Sequence, residues 1–385
     1  MQRKDQGISI KSSLTSGEAY NTYVPNPLPP IPEIDMAEVE RTYHMARLAI
    51  DALNDIVEAV PDPLVLNYMY VRKEAVLSSQ IEGTQSTLDD LLRYESEQVK
   101  GVSINDVQEV SCYVAAITHG LKRLDEGFPM SLRLAREIHK ILLESSRGAT
   151  KTPGEFRTSQ NWIGGRRPGD ARFVPASPDM VAGLMGDLEK FLYNEDVPPL
   201  FRAALMHQQF ETIHPFLDGN GRTGRLLITL FLRWQGVIKS PFLYLSLFFK
   251  KNRNQYYDQL DAVRHTGDWE DWINFFFDGV AVTADDARKT LLAVKKVFAA
   301  ADEKIAGIGR ARISAAQVLA EFKRKPLMTI SEIAAGTGLS NNAVSNTVNR
   351  LISLGIIKGA SERKWGQVYV YSDYADILAP DTEII

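Results

Sequence analysis

The run Leu226-Leu227-Ile228-Thr229-Leu230-Phe231-Leu232-Arg233-Trp234 constrains this chain most. It lies in a helical segment, Arg222–Trp234, that is apolar nearly all round, and such a helix belongs in the centre of a fold. No run approaches the roughly 18 apolar residues of a membrane helix, so the cover must come from the chain itself. Helical spacing of apolar residues recurs from Asp35 to about Glu126, then over 131–147, 179–193, 200–213, 252–264 and 268–300. The body is therefore expected to be mainly α. Only Lys151–Pro178 breaks the pattern. There Asn161-Trp162-Ile163-Gly164 and Ala171-Arg172-Phe173-Val174 predict two short strands joined by a Gly/Arg/Pro turn, one β-hairpin.

The ends differ from the body. Residues 1–34 are rich in Pro, Ser, Asn and Gly and close in Asn26-Pro27-Leu28-Pro29-Pro30-Ile31-Pro32, which predicts an extended arm. Val60-Pro61-Asp62-Pro63 and Glu82-Gly83-Thr84 interrupt the first helical region, and Ser86 with Asp89 reads as a capping box that restarts it. The whole chain carries a net charge of −4, yet residues 306–370 hold nine basic and three acidic residues. That shift, behind Ala306-Gly307-Ile308-Gly309, predicts a separate module. The expected division is an arm over 1–34, an N-terminal helical region over 35–105, a core over 106–300, a linker over 301–310 and a module over 311–385.

Within that module Thr329 and Glu332 form a capping box, Gly336-Thr337-Gly338 a turn, and Ser340 caps a helix Asn341–Leu354. Ile356-Ile357-Lys358 and Gln367–Tyr371 read as strands around a basic turn, Arg363-Lys364-Trp365. This is the pattern of a winged helix-turn-helix. Asn342, Ser345, Asn346 and Asn349 fall on the exposed side of its second helix, where such side chains read base edges. DNA is one partner expected there; a docked protein or a second copy of the chain is another.

Several classes are excluded. The lone Cys112, expected to be a buried inert thiol, allows no internal disulfide and no cysteine-built zinc site. The polar start Met1-Gln2-Arg3-Lys4-Asp5 has no apolar stretch behind it, so no signal peptide is read. The acidic balance argues against a nucleic-acid-coating protein. A cytoplasmic protein with no membrane partner is the expectation.

The chemistry concentrates in His214-Pro215-Phe216-Leu217-Asp218-Gly219-Asn220-Gly221-Arg222-Thr223-Gly224-Arg225. Gly219, Gly221 and Gly224 satisfy G-x-G-x-x-G, but the preceding Ala203–Thr212 is helical and Lys239-Ser240 stands where a dinucleotide fold needs an acid. The glycines still let backbone N–H groups converge on an anion at a helix N-terminus. Arg222 and Arg225, three apart, share a face and suit a polyphosphate. Asp218 suits a magnesium ion carried by a triphosphate, and His214 suits a general base. G-x-x-x-x-G-K-[ST], H-R-D, D-F-G and H-E-x-x-H are absent.

The segment His214–Arg225 resembles the Fic family motif H-P-F-x-[DE]-G-N-G-R-x-x-R at every fixed position, and Gly154-Glu155-Phe156-Arg157, Phe173-Val174-Pro175 and Asn252 to Phe277 resemble other features of that family. The resemblance implies a Fic-type helical core with a β-hairpin flap, and transfer of AMP from ATP to a Ser, Thr or Tyr hydroxyl of a target protein or of the enzyme itself, releasing pyrophosphate. It implies His214 as base, Phe216 as anchor of the loop, Asp218 as ligand of Mg²⁺, and Gly219, Asn220 and Gly221 as the anion hole. Asn220 would reach the α-phosphate, Arg222 the β-phosphate region and Arg225 the γ-phosphate. Target proteins would dock at the flap, 160–174, by strand addition.

Ser78-Ser79-Gln80-Ile81-Glu82-Gly83 matches the family's inhibitory motif [ST]-x-x-x-E-[GN]. Leu64–Glu82 can be helical, with Gly83 as a left-handed stop. A carboxylate at a helix C-terminus opposes the dipole and needs a cation; by resemblance that cation is Arg225. Tyr256, Tyr257 and Trp269 are candidates for the wall of an adenine pocket. His44, His119, His139, His207 and His265 read as structural or surface residues. Removal of AMP by the same site, and a nucleotide-sensing DNA-binding regulator, are the alternative readings.

Overall fold

A computed structural model describes residues 3, 6–13, 18–59, 64–96, 104–144, 149–360 and 367–383. The arm opens as an antiparallel hairpin, β1 (Gly7–Ser13) and β2 (Ala19–Pro25), with Gly7 opposite Pro25. Alternation along Ile8, Ile10 and Thr22, Val24 supports pairing, which the proline-weighted reading of a bare extended arm missed. The arm is anchored: the buried Arg3 guanidinium meets Glu270 at 2.5 Å and donates to the carbonyls of Pro32 and Glu33.

Helices follow: α1 (Met36–Glu58), α2 (Leu64–Ile81), α3 (Leu88–Glu95), α4 (Ile104–Asp125), α5 (Leu132–Leu143), α6 (Pro178–Leu192), α7 (Pro199–Ile213), α8 (Asn220–Trp234), α9 (Ser246–Lys251), α10 (Arg253–Thr266) and α11 (Trp269–Ala306). The Val60–Pro63 break lies outside the described residues. The capping box of α3 is Thr87 with Asp90, one residue later than the expected Ser86 with Asp89. Leu88, Leu91 and Leu92 are the buried residues of α3, and that face sets the register. Cys112 on α4 is half-buried, not buried as expected.

α8 is the central helix, packed by α7, α4, α5 and α2. Leu226, Leu230, Phe231 and Leu232 are fully buried, each worth about 1.5–3 kcal/mol of apolar burial. That packing holds the N-terminus of α8 still. The expected hairpin over 160–174 reduces to one antiparallel bridge, Ile163 opposite Phe173, around a 3-10 turn at Pro168–Asp170. Gly164, Gly165 and Pro168 leave too few extended residues for two strands. β2 joins this flap, since Tyr23 N–H donates to the Val174 carbonyl at 2.9 Å.

The expected linker 301–310 is mostly helix: α11 runs unbroken to Ala306, because Ala301 and Ile305 are buried. The module beyond holds α12 (Arg312–Arg324), β3 (Leu327–Thr329), α13 (Ile330–Thr337), α14 (Asn341–Ser353), β4 (Lys358–Gly359), β5 (Val368–Val370) and α15 (Ser372–Leu378). Its strands are antiparallel in the order β3-β5-β4. The expected strand Ile356–Lys358 starts two residues late, since Ile356 and Ile357 are buried behind Gly355. The basic turn Arg363–Trp365 lies outside the described residues. Thr329 and Glu332 form the capping box, Ser340 caps α14, and Val344, Val348 and Leu351 are buried along it. Asn342, Asn346 and Asn349 are exposed and Ser345 half-buried.

The module is docked onto the body. α12 and α15 pack on α11 and α2. Behind α15 the Thr382 carbonyl accepts from Gln80 Nε2 at 2.8 Å, and Lys250 Nζ donates to the carbonyls of Asp381 and Glu383. Among the described residues no helix is long and apolar enough to cross a membrane.

Candidate active site

α7 ends at His214, whose backbone is left-handed (φ 50°, ψ 61°) and whose N–H bonds back to the Phe210 carbonyl at 2.9 Å. The chain then turns through Phe216, which is fully buried with its ring stacked on His139, centroids 3.6 Å apart. Asn220 closes the loop: its amide oxygen accepts from Phe216 N–H and its amide nitrogen donates to the Phe216 carbonyl, both at 2.8 Å. The Asn220 side chain thus holds the loop and still keeps one Nδ2–H to donate. His139 props the loop from below. Its Nδ1 accepts from Gly154 N–H and its Nε2–H donates to the Asp218 carbonyl. Burial pushes the His139 pKa down to about 4, so the ring is neutral and can hold both bonds.

The base of the flap staples the same turn. Arg157 Nε donates to the His214 carbonyl at 3.0 Å, and Asn161 Nδ2 donates to the Phe216 carbonyl at 2.8 Å. Gly219 at φ +73° is the N-cap of α8, where a side chain would be strained. At Gly221 a Cβ would sit 2.3 Å from Glu82 Oε1 and 2.9 Å from Arg225 Nη1, so glycine admits the acid to the helix start.

Glu82 stands just past α2. Gly83 at φ +94° and the Thr84 N–H to Ser79 carbonyl bond (3.3 Å) end that helix in a glycine cap. Arg225, buried, donates from Nε to Ser78 Oγ (2.9 Å) and from Nη2 to the Ser78 carbonyl (3.0 Å) and to Glu82 Oε1 (2.7 Å). Burial in the cleft opposes the Glu82 charge, but the Arg225 guanidinium outweighs it and holds the carboxyl below its usual value. Arg222 is also held, with Nη1 at 3.4 Å from Glu109 Oε2 on α4 and Nη2 at 3.8 Å from Asp218 Oδ1. Asp218 accepts from Gly219 N–H at 2.6 Å and its side chain is 43% exposed, at the loop's outer edge.

Above the loop opens a cleft of about 510 Å³, lined among others by Glu82, His214, Gly221, Arg225, Trp162, Phe173, Tyr256, Tyr257, Asp261 and Arg264. Burial, then the charges of Arg264 and Arg157, press the His214 pKa down to about 4. A neutral imidazole thus faces the cleft, with Nδ1 lacking a hydrogen-bond partner. Tyr256 and Tyr257 line the cleft as expected, the former bonded through its hydroxyl to His207 Nε2 at 2.7 Å. Trp269 does not: its indole N–H donates to Gln6 in the buried anchor of the arm. Sequence reading missed the loop-holding roles of His139, Glu109 and Asn161. Each is a lone polar residue with no motif around it, and only the fold brings it to the loop.

A glycine loop at a buried helix start, two arginines, a neutral histidine and an acid-tipped helix thus meet in one cleft under a flap. Residues 129–232 match the Fic/DOC family, 41–122 the Fic/DOC family N-terminal region and 316–358 the winged helix-turn-helix DNA-binding family. The chain carries a Fic domain with its family's N-terminal region ahead of it and a winged helix behind. The protein adenylyltransferase Fic of Drosophila yakuba is 29% identical over 263 residues, 65% of this chain and 49% of that protein. The protein of the same name from Drosophila grimshawi is 32% identical over 193 residues, 49% of this chain and 36% of that protein. The chain thus spans half or less of these relatives. A Fic family protein from Desulfovibrio desulfuricans G20 shares the fold, with a TM-score of 0.57 at 22% identity over 88% of this chain and 97% of that one.

Proposed function

We propose that the chain is an auto-inhibited protein adenylyltransferase that moves AMP from ATP to a target hydroxyl. The observation that carries this is the 2.7 Å bond between Glu82 and Arg225 beside a neutral His214 in one cleft. Backbone N–H groups at Gly219–Gly221 and the two guanidiniums suit the phosphates. His214 accepts the proton of the target hydroxyl as it attacks the α-phosphorus, and pyrophosphate leaves. Asp218 fits a magnesium ion borne by the nucleotide: among the described residues no cluster of three metal-ligating side chains exists, and Mg²⁺ often takes one carboxylate with phosphates and waters. When bound, the ion neutralises phosphate charge. Target segments would pair with the flap along the 161–164 edge, since β2 occupies the far side at Val174.

Glu82 need not bar ATP. Holding Arg225 denies the γ-phosphate its seat, and a misplacement of about 1 Å can cost 10²-fold. Labelled ATP tests this. Glu82→Gly should label protein up to about 10²-fold faster than wild type, and Glu82→Gly/His214→Ala should fall back to background. Equal labelling by wild type and Glu82→Gly would remove the brake; activity in the double variant would remove the base.

The exposed asparagines of α14 support a second, separable role for the module in binding DNA. Duplex binding that weakens with salt and is lost in Asn346→Ala/Asn349→Ala is the expected result; binding unchanged by both substitutions would refute it.

A further inference from the structure

Arg264 on α10 lies outside the glycine loop, yet it touches both α7 and the flap, which meet at the catalytic base. Its Nε donates to Thr212 Oγ1 at 3.1 Å and its Nη2 to the Glu211 carbonyl at 3.3 Å. Both acceptors belong to the last turn of α7, immediately before His214. That turn ends in open carbonyls, which a cation completes. Its guanidinium carbon lies 4.0 Å from the ring centre of Phe173 in the flap. Its Nη1 is 3.6 Å from Asp261 Oδ1, while Oδ2 of the same acid accepts from Arg172 of the flap at 3.2 Å. The side chain is 7% exposed, and what it does expose lines the cleft with His214.

We propose that Arg264 is a positioning residue for the catalytic base: it bolts the flap to the end of α7 and so fixes where the His214 imidazole sits beneath the target. The step it serves is the one proposed above, so the inference rests on that reading. An arginine is suited to this because its fork bonds at the edge and stacks at the face at once. Lysine has the charge without the fork.

The same placement sets the electrostatics of the base. The groups facing His214 are Glu211 on its own helix, with Oε2 3.9 Å from Nδ1, Arg264 on α10, Arg157 beside the flap and Glu82 beyond α2. Burial and the two arginines disfavour the imidazolium, whereas a bond to the Glu211 backbone and the Glu82 charge favour it. Removing the Arg264 cation removes one of the two repulsions, so the His214 pKa must rise. A base works above its pKa, so the acid limb of the rate profile moves to higher pH.

The test is a histidine-labelled NMR titration of wild type, Arg264→Gln, Arg264→Lys and Thr212→Val, with His214→Ala for assignment. It reads His214 directly, whether or not transfer occurs. Wild-type His214 should stay neutral from about pH 5 to 8. Arg264→Gln should raise its pKa by roughly one unit or more, bringing the titration into that window; Arg264→Lys, which keeps the charge and loses the fork, should correct only part of the shift. Thr212→Val, which frees one edge of the fork at matched size, should move it in the same direction by less. In the Glu82→Gly background Arg264→Gln should then lower kcat most at acid pH. An unmoved His214 in both Arg264→Gln and Thr212→Val overturns the proposal, as does a lysine variant indistinguishable from wild type, since charge alone would then suffice. Absence of labelling by Glu82→Gly alone would instead sink the transferase reading and leave the titration to decide this one.

Discussion

His139 makes the loop what it is. One neutral ring stacks on Phe216 and bonds the loop above and the Gly154 turn below. Its low pKa of about 4 means these bonds survive across the physiological range. His139→Phe should keep the stack, lose both bonds and strand two buried backbone groups, costing about 2 kcal/mol or more of stability. Thermal melting of the variant checks this, and its labelling rate in the Glu82→Gly background should fall because the loop drifts. The sequence announced the loop through its glycines and arginines but not its support. His139 has no ligand-like spacing to another histidine, and an isolated imidazole on an amphipathic helix looks the same whether it props a loop or fills a gap. Asn220 adds a role the sequence did not show: its amide closes the loop by bonding both the N–H and the carbonyl of Phe216.

Among elements, α2 matters because its two faces answer to different partners. One face carries Ser78 and reaches Glu82, gripping Arg225. Gln80, on another side, donates to the carbonyls of Ser86 and Thr382. The end of α2 is therefore tied to the tail behind α15. Gln80→Ala should loosen the last turn without touching Arg225. Labelling should rise several-fold, far less than in Glu82→Gly, and amide exchange at 79–84 should quicken; an unchanged exchange rate would show that the tie bears no strain. The helices here were legible because their apolar stripes are long. The short extent of the flap's pairing and α15 were not. Extended pieces of a few residues and a seven-residue helix hold too few repeats for a period to show, and tertiary contacts decide them. The winged helix was legible through its caps, Thr329 with Glu332 and Ser340.

At the scale of the molecule, one apolar core runs from α1 through the body into the winged-helix module. The N-terminal arm is fixed to it by charge. Burial works to raise the Glu270 pKa, but bonds from Arg3 and the Asp35 N–H outweigh it and hold the carboxyl at about 2. A depressed carboxylate stabilises fully above its unfolded value near 4.5 and ceases to as pH falls towards 2. The shift corresponds to about 3 kcal/mol. Arg3→Ala should therefore lower the melting temperature clearly at pH 7, and the gap from wild type should narrow below about pH 4. A gap independent of pH would assign the loss to packing alone.

α11 gives this body a lever. Its first turn, at Trp269 and Glu270, follows Gly267 and the helix bearing Arg264; near its other end the Val297 carbonyl accepts from Tyr371 and Asp302 meets Lys323 of the module. With 38 residues it is a single rod of about 57 Å. Tilting such a rod by one degree carries its tip through about 1 Å. A load on the winged helix that tilted this rod would reach the buried anchor of the arm, where Trp269 meets Gln6 and Glu270 meets Arg3, as a displacement on the scale of a hydrogen bond's tolerance.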